Sequence, residues 1–168
     1  MPLLEHRPKP NTEKKTPKAV QVLALDLATK TGWAITKDIY GLWDFSLKKD
    51  ESSGMKLIRL RSKLRECLEE HKVGLVVFER VAGRFKNDIT HQSKLQAIVE
   101  TELLDRGIDY RAYSAKEIKV FATGKGNAGK PDMVKAAQLK YSYTGNNDNE
   151  ADALHLLHLA LADYKGSI

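Results

Sequence analysis

Three acidic segments lie far apart in this 168-residue chain, and each adjoins an apolar run. Asp26 ends "VQVLALD", Glu79 ends "KVGLVVFE", and Asp148 and Asp152 open "DNEADALHLLHLA". A carboxylate beside a buried element is costly unless it has a partner. Hard divalent cations prefer oxygen ligands, and Mg²⁺ typically takes one or two carboxylates plus water and substrate phosphate. Two such ions about 3.5 to 4 Å apart can activate water and stabilise the leaving oxygen of a phosphodiester. The chemistry on offer is metal-assisted phosphodiester hydrolysis, with Asp26, Glu79, Asp148 and Asp152 as the acidic set. Asp148 and Asp152 are four apart and Asp152 and His155 three apart, so one helix face can carry all three. His155 is then a candidate ligand or proton donor. Plainer readings exist. Asp26 could close a turn on the amides of "LATKTG", Glu79 could pair with Arg80 or Arg84, and Asp148 could be a first-turn acid favoured by the helix dipole. His158, among leucines, reads as a core or interface histidine.

Neighbouring elements must bring these groups together. Val20 to Leu27 is almost continuously apolar, which predicts a central strand covered on both faces. "GWAITK" and "YGLWDFSL" read as two more strands of an antiparallel meander, with Gly32 and "KDI" at turns. Met55, Leu57, Ile58, Leu60, Leu64 and Leu68 recur at helical spacing between Gly54 and Glu70. "KVGLVVFE" is a fourth strand. The basic loop "RVAGRFKND" leads into a helix from about Thr90 to Arg106, whose apolar Leu95, Ile98, Val99 and Leu103 can face the sheet or a second subunit. "GIDYRAYS" is a fifth strand, and Ser114 caps a short helix through Phe121. The glycine- and lysine-bearing "ATGKGNAGKP" precedes a helix with Pro131 in its first turn. A last helix spans about Asn149 to Tyr164. The result is an α/β fold, a five-stranded mixed sheet flanked by helices, in a layout similar to ribonuclease H. Strand ends in such a sheet meet at one rim, where Asp26 and Glu79 converge.

Composition narrows the partners. The net charge of +6 favours a polyanion. Residues 1–18 hold five Lys/Arg against two Glu and four of the five prolines, and read as a disordered basic tail ahead of one domain, 19–168. Six lysines between Ser114 and Lys140 (116, 119, 125, 130, 135 and 140) face only Glu117 and Asp132. With Arg80, Arg84 and Lys86 they can flank the acidic rim and neutralise phosphates. Amides of "GKGNAG" can also approach a phosphate closely. A solvated lysine-rich face is the plainer alternative. No base-reading motif is present, so recognition by shape is expected. Cys67 is the single cysteine, which excludes an intramolecular disulfide. No apolar run reaches the roughly 20 residues of a membrane span and no secretory leader is evident, so a cytoplasmic protein is expected.

The order "ALDLATKTGWAI", "VVFERV…KN", "IKVFATGKGNAGK" and "NEADALHLLHLA" resembles the RuvC family of Holliday-junction resolvases, especially its bacteriophage-type members, over about Val20 to Ala162. That resemblance implies a homodimeric endonuclease on a ribonuclease H-like fold, using Mg²⁺ or Mn²⁺, two ions per site, to nick four-way DNA junctions. For a phage protein this would be in the host cytoplasm. Asp26 takes the place of the first-strand aspartate, Glu79 that of the glutamate, and Asp152 that of the last aspartate. The family's remaining ligand falls on Asn149, which leaves Asp148 and Asn149 as alternatives for the fourth position, with Glu150 and His155 as possible supports. Lys119 and Lys130 fall where the family carries basic residues near DNA, and Lys125, Arg80, Arg84 and Lys86 of the basic surface read above extend the expected DNA-binding set. Phe85 stands where some relatives insert an aromatic at the junction. Competing readings are a ribonuclease H-like RNA-processing nuclease, a non-catalytic nucleic-acid binder, or an actin-like ATPase, since "DLATKTG" also resembles that superfamily's phosphate loop.

Overall fold

Val22 and Ala24 are buried on one face of the first strand and Leu23 and Leu25 on the other, so that strand is enclosed between two cores. This is the centre of a computed structural model that describes residues 20–83 and 86–165. The segment 1–18 and the loop residues Arg84 and Phe85 lie outside the described residues. The element order is β1 (Gln21–Asp26), β2 (Lys30–Ala34), β3 (Tyr40–Asp44), α1 (Gly54–Glu70), β4 (Val73–Glu79), α2 (Lys86–Arg106), β5 (Asp109–Tyr113), α3 (Ala115–Thr123), α4 (Lys130–Tyr141) and α5 (Asp148–Lys165). The sheet runs β3-β2-β1-β4-β5. β1, β2 and β3 form the expected antiparallel meander, while β4 and β5 lie parallel to β1.

Two hydrophobic layers sandwich the sheet. On one face Ala151, Leu154, Leu157 and Ala160 of α5 pack with Ile118 of α3 and Met133 and Ala137 of α4. On the other, Leu60 and Leu64 of α1 meet Leu95, Val99 and Leu103 of α2. The apolar stripe of α2 is therefore spent on the sheet. Glu102 is buried in α2, where its Oε1 accepts from Arg65 Nε of α1 at 2.8 Å and Arg106 Nε at 2.9 Å. This clamp ties the two helices together and holds the Glu102 carboxyl below its ordinary range.

Local signals in the chain set most element ends. Ser114 caps α3 by accepting from the Glu117 amide at 3.1 Å, and Glu117 returns the bond to the Ser114 amide at 2.7 Å. Gly124 closes α3 in the left-handed conformation at φ 80°, and Gly129 and Pro131 open α4. The glycines of "GKGNAG" thus serve at least partly as helix ends. α2 begins at Lys86, a turn before the expected Thr90. Thr90 Oγ1 donates back to the Lys86 carbonyl at 2.8 Å, and Asp88 suits the first turn of a helix.

Gly32 is a correction. It lies inside β2, not at a turn, paired across from Asp26. A Cβ on Gly32 would overlap the Asn149 carbonyl and crowd the Glu150 amide in the first turn of α5. The missing side chain lets helix backbone rest directly on the strand. Gly32→Ala must push that turn outwards, so it should cost about 1 to 3 kcal/mol of stability, read as a lower urea midpoint at unchanged m-value. A midpoint equal to that of the parent chain would show the contact to be slack.

Candidate active site

Asp26 and Glu79 end adjacent parallel strands. Leu25 pairs with Phe78 in the register of β1 and β4, so the two acids occupy the next position on each strand. Strand alternation puts Asp26 on the side of Ala24 and Glu79 on the side of Val77, and both alanine and valine belong to the α5-facing core. Across from Asp26 is Gly32, and on Gly32 rests the start of α5. Asp148 and Asp152 therefore hang from a helix seated against the same rim.

The electrostatics follow from this placement. Burial pushes the Asp26 carboxyl well above its ordinary range, and Asp152, Glu79 and Asp148 push it further by repulsion. Asp152 is raised to about 7 by burial and by Glu79 and Asp148. Glu79 is raised by burial, with Lys119 opposing. Four acids share one field, and Lys119 and Lys130 are the cations that relieve it. Lys130 Nζ lies 3.2 Å from Asp148 Oδ2. A groove of about 300 Å³ between α3, α4 and α5 is lined by Glu79, Asp152, Lys119 and Lys130. A narrow crevice beside it is lined by Asp26, Glu79, Arg80 and Gln92.

Of the plainer readings for the two strand acids, neither the Asp26 turn cap nor the Glu79–Arg80 pair is formed, and a Glu79–Arg84 pair lies outside the described residues. Thr31 closes the turn after β1, donating to the Ala28 carbonyl at 2.7 Å and accepting from the Ala28 amide at 3.3 Å, so Asp26 is not its cap. Glu79 forms no ion pair with Arg80; the Arg80 amide instead donates to the Tyr113 carbonyl at 2.6 Å. Asn147 caps α5, accepting from the Glu150 amide at 3.1 Å, which leaves the Asp148 side chain to Lys130.

The donor chemistry suits a hard divalent cation. All four side chains offer carboxylate oxygens, and the buried Oδ1 of Asp152 has no hydrogen-bond partner. Among the described residues, however, no three His, Cys, Asp or Glu side chains stand close enough as they are to share one ion. The expectation of a ready-made ligand set is thus not met by the side-chain positions themselves.

Other expected site residues fall into place or away from it. Asn149 contributes its backbone to the Gly32 contact. Glu150 accepts from Tyr143 Oη at 2.6 Å and is committed to the loop before α5. His155 is fully buried, with Nε2 2.8 Å from the Met133 carbonyl and Nδ1 3.2 Å from Tyr141 Oη. Both nitrogens lie within hydrogen-bond distance of groups on α4, so His155 braces α5 against that helix. His158 stacks on Tyr141 at 3.9 Å between ring centroids. Lys86 and Lys125 are exposed. Buried Cys67 has its thiol pushed up to about 12, which suits an inert core residue. Sequence reasoning missed Gln92; the helical register from Lys86 could have found it, because it puts Gln92 two turns into α2.

A five-stranded mixed sheet with these helices defines the ribonuclease H-like class. Neither a protein-family model nor a curated protein sequence matches the chain. Solved structures do. Thermus thermophilus RuvC in complex with a Holliday-junction substrate superposes with a TM-score of 0.69 at 18% identity, covering 88% of this chain and 97% of that one. A second structure of Thermus thermophilus RuvC gives 0.63 at 17% identity over 87% and 95%. The yeast mitochondrial Holliday-junction resolvase gives 0.60 at 14% identity over 88% and 81%. The chain has the fold of these resolvases. No helix among the described residues is long and apolar enough to cross a membrane.

The raised acids have a consequence for stability. A carboxyl whose folded pKa lies above its unfolded value stabilises the fold below the ordinary Asp range near 3.9, and that contribution is lost as pH rises through the folded value. For Asp152 the window runs from about 4 to about 7. In EDTA the melting temperature should fall by several degrees between pH 5 and pH 8. Asp152→Asn should flatten that slope and raise the melting temperature at pH 8, as scanning calorimetry can read. An unchanged slope in the variant would remove Asp152 from the repelling cluster.

Proposed function

We propose that this chain is a RuvC-type, metal-dependent and structure-selective endodeoxyribonuclease that resolves four-way junctions and related branched DNA by phosphodiester hydrolysis. One observation carries the reading: two strand-end acids, Asp26 and Glu79, face two helix acids, Asp148 and Asp152, across a desolvated rim where all repel one another. Such an arrangement opposes folding while the acids stay charged, and a bound divalent cation would relieve it. Asp26, Glu79, Asp148 and Asp152 would hold Mg²⁺ or Mn²⁺, as two ions. Asp148 is preferred to Asn149 as the fourth ligand because its charge acts on both Asp26 and Asp152. When bound, the ions would supply an activated water and charge stabilisation at the leaving oxygen.

The protein's own groups bind and orient the substrate. Lys119 and Lys130 border the groove containing Glu79 and Asp152, where they can neutralise a phosphate entering the acidic field. Arg80 adjoins the crevice at Asp26. Exposed Lys86 and Lys125, with Arg84 and Phe85, extend the expected contact surface for DNA. Thermus thermophilus RuvC, of like fold, was captured in complex with a Holliday-junction substrate, which supports branched DNA as substrate here. A junction has two strands to cut, so we further propose that the active form is a homodimer.

Asp26→Asn and Glu79→Gln should each reduce cleavage of a synthetic four-way junction by more than about 100-fold, the upper range for residues that only support metal ligands. Binding of uncut junction in EDTA should stay within about three-fold of the parent, because charge removal at the rim does not touch the basic surface. Retained cleavage in either variant would refute the site. A panel of junctions, flaps, duplex DNA and RNA hybrids settles the substrate, and cleavage confined to RNA would refute the resolvase reading.

A further inference from the structure

The face of the sheet opposite α5 carries a second polar cluster close to the same rim. Thr29 lies three residues beyond Asp26, in the turn between β1 and β2, and its carbonyl is fixed by the Phe45 amide at 2.8 Å. Lys56, in the first turn of α1, donates from Nζ to Thr29 Oγ1 at 3.1 Å. His91 of α2 places Nε2 3.3 Å from that same oxygen. Gln92, next in sequence, lines the crevice with Asp26 and Glu79.

Arg59, Arg65 and Arg106 are each engaged by a carboxylate, from Glu51, Glu102 or Glu69. Lys56 has no carboxylate partner among the described residues and is pinned to a hydroxyl instead. The His91 pKa is lowered first by burial and then by Lys56 and Lys94, with Asp88 opposing, so basic charges outnumber acidic ones around it. An ammonium held in one place by a hydroxyl, with no carboxylate partner among the described residues, suits an incoming oxyanion better than a flexible surface lysine does.

We propose that Lys56, steadied by Thr29 and His91, receives a backbone phosphate flanking the one to be cut, on the opposite side of the sheet from Lys119 and Lys130. This contact rests on the nucleic-acid substrate proposed above. A strand lying across the ends of β1 and β4 would then be gripped from both helical layers, with the carboxylates between the two grips. The ligand is a phosphodiester oxygen, so the contact carries charge and register but no base information.

The test is equilibrium binding of the full chain to a labelled four-way junction in EDTA, from 50 to 200 mM NaCl. Lys56→Ala should weaken binding and reduce the slope of log K against log salt by about 0.9, the value for one phosphate that is no longer neutralised. Lys56→Arg should restore the slope. Lys63→Ala, which removes an α1 lysine already paired with Glu66 at 3.0 Å, should behave as the parent. A Lys56→Ala slope equal to that of the parent overturns the contact, even if the melting temperature falls, because a lysine that merely braces the turn alters stability and not counter-ion release. A parent chain that holds no junction at all overturns both this contact and the nuclease reading, whereas a parent that binds beside an unchanged Lys56→Ala overturns only the contact.

Discussion

Repulsion among carboxylates in a partly dehydrated rim is the constraint around which the rest of this structure is arranged. Asp26 and Asp152 are pushed upward by burial and by their acidic neighbours together, and neither effect relaxes unless the elements separate. They do not separate, because β1 is enclosed by two hydrophobic layers and α5 is almost wholly apolar where it meets the sheet. Apolar burial at roughly 25 cal/mol per Å² holds the acids where electrostatics alone would scatter them. A cation of the kind proposed would relieve that stored repulsion.

Seating α5 closely enough for this depends on contacts of little chemical character. Gly32 lets the first turn of the helix sit on β2 directly opposite Asp26. His155 and Tyr141 fasten the next turns to α4, and Asn147 and Tyr143 fix the start of the helix through the Asn147–Glu150 and Tyr143–Glu150 bonds. Two of these contacts use polar groups, His155 and Glu150, that in sequence looked available for chemistry. Placement of Asp152 to a fraction of a turn is what those groups provide.

Elements with a strong local signal were legible from the chain. The two-sided burial of β1, the helical stripe of α1, the Ser114 cap and Pro131 at the head of α4 all follow from short-range rules, and the acids Asp26 and Glu79 stand at the strand ends those rules mark. What was hidden depends on partners distant in sequence. Nothing near Gly32 says that the helix backbone at Asn149 will lie on it, and nothing near His155 says that its nitrogens meet Met133 and Tyr141. Glu102 reads as an exposed helix acid until Arg65, from another helix, is beside it. Lys56 is one lysine among many in the chain until the turn holding Thr29 closes over it.

Charge is therefore sorted by depth and side. Arg59, Arg65 and Arg106 on the α1 and α2 layer pair with carboxylates and stabilise the frame, while Lys130 and Lys56 near the acidic rim have weaker engagements. Lys130 illustrates the difference: its bridge to Asp148 is largely solvent-exposed, so screening makes it cheap to break. A phosphate arriving at the rim can take such a lysine from its carboxylate and leave that carboxylate free for a cation. On the proposed function, entry of substrate and recruitment of metal would become one linked equilibrium, since each would remove a repulsion that the other meets. The fold needs no moving lid for this coupling. It follows from placing loosely held cations beside tightly held acids on a sheet too well packed to yield.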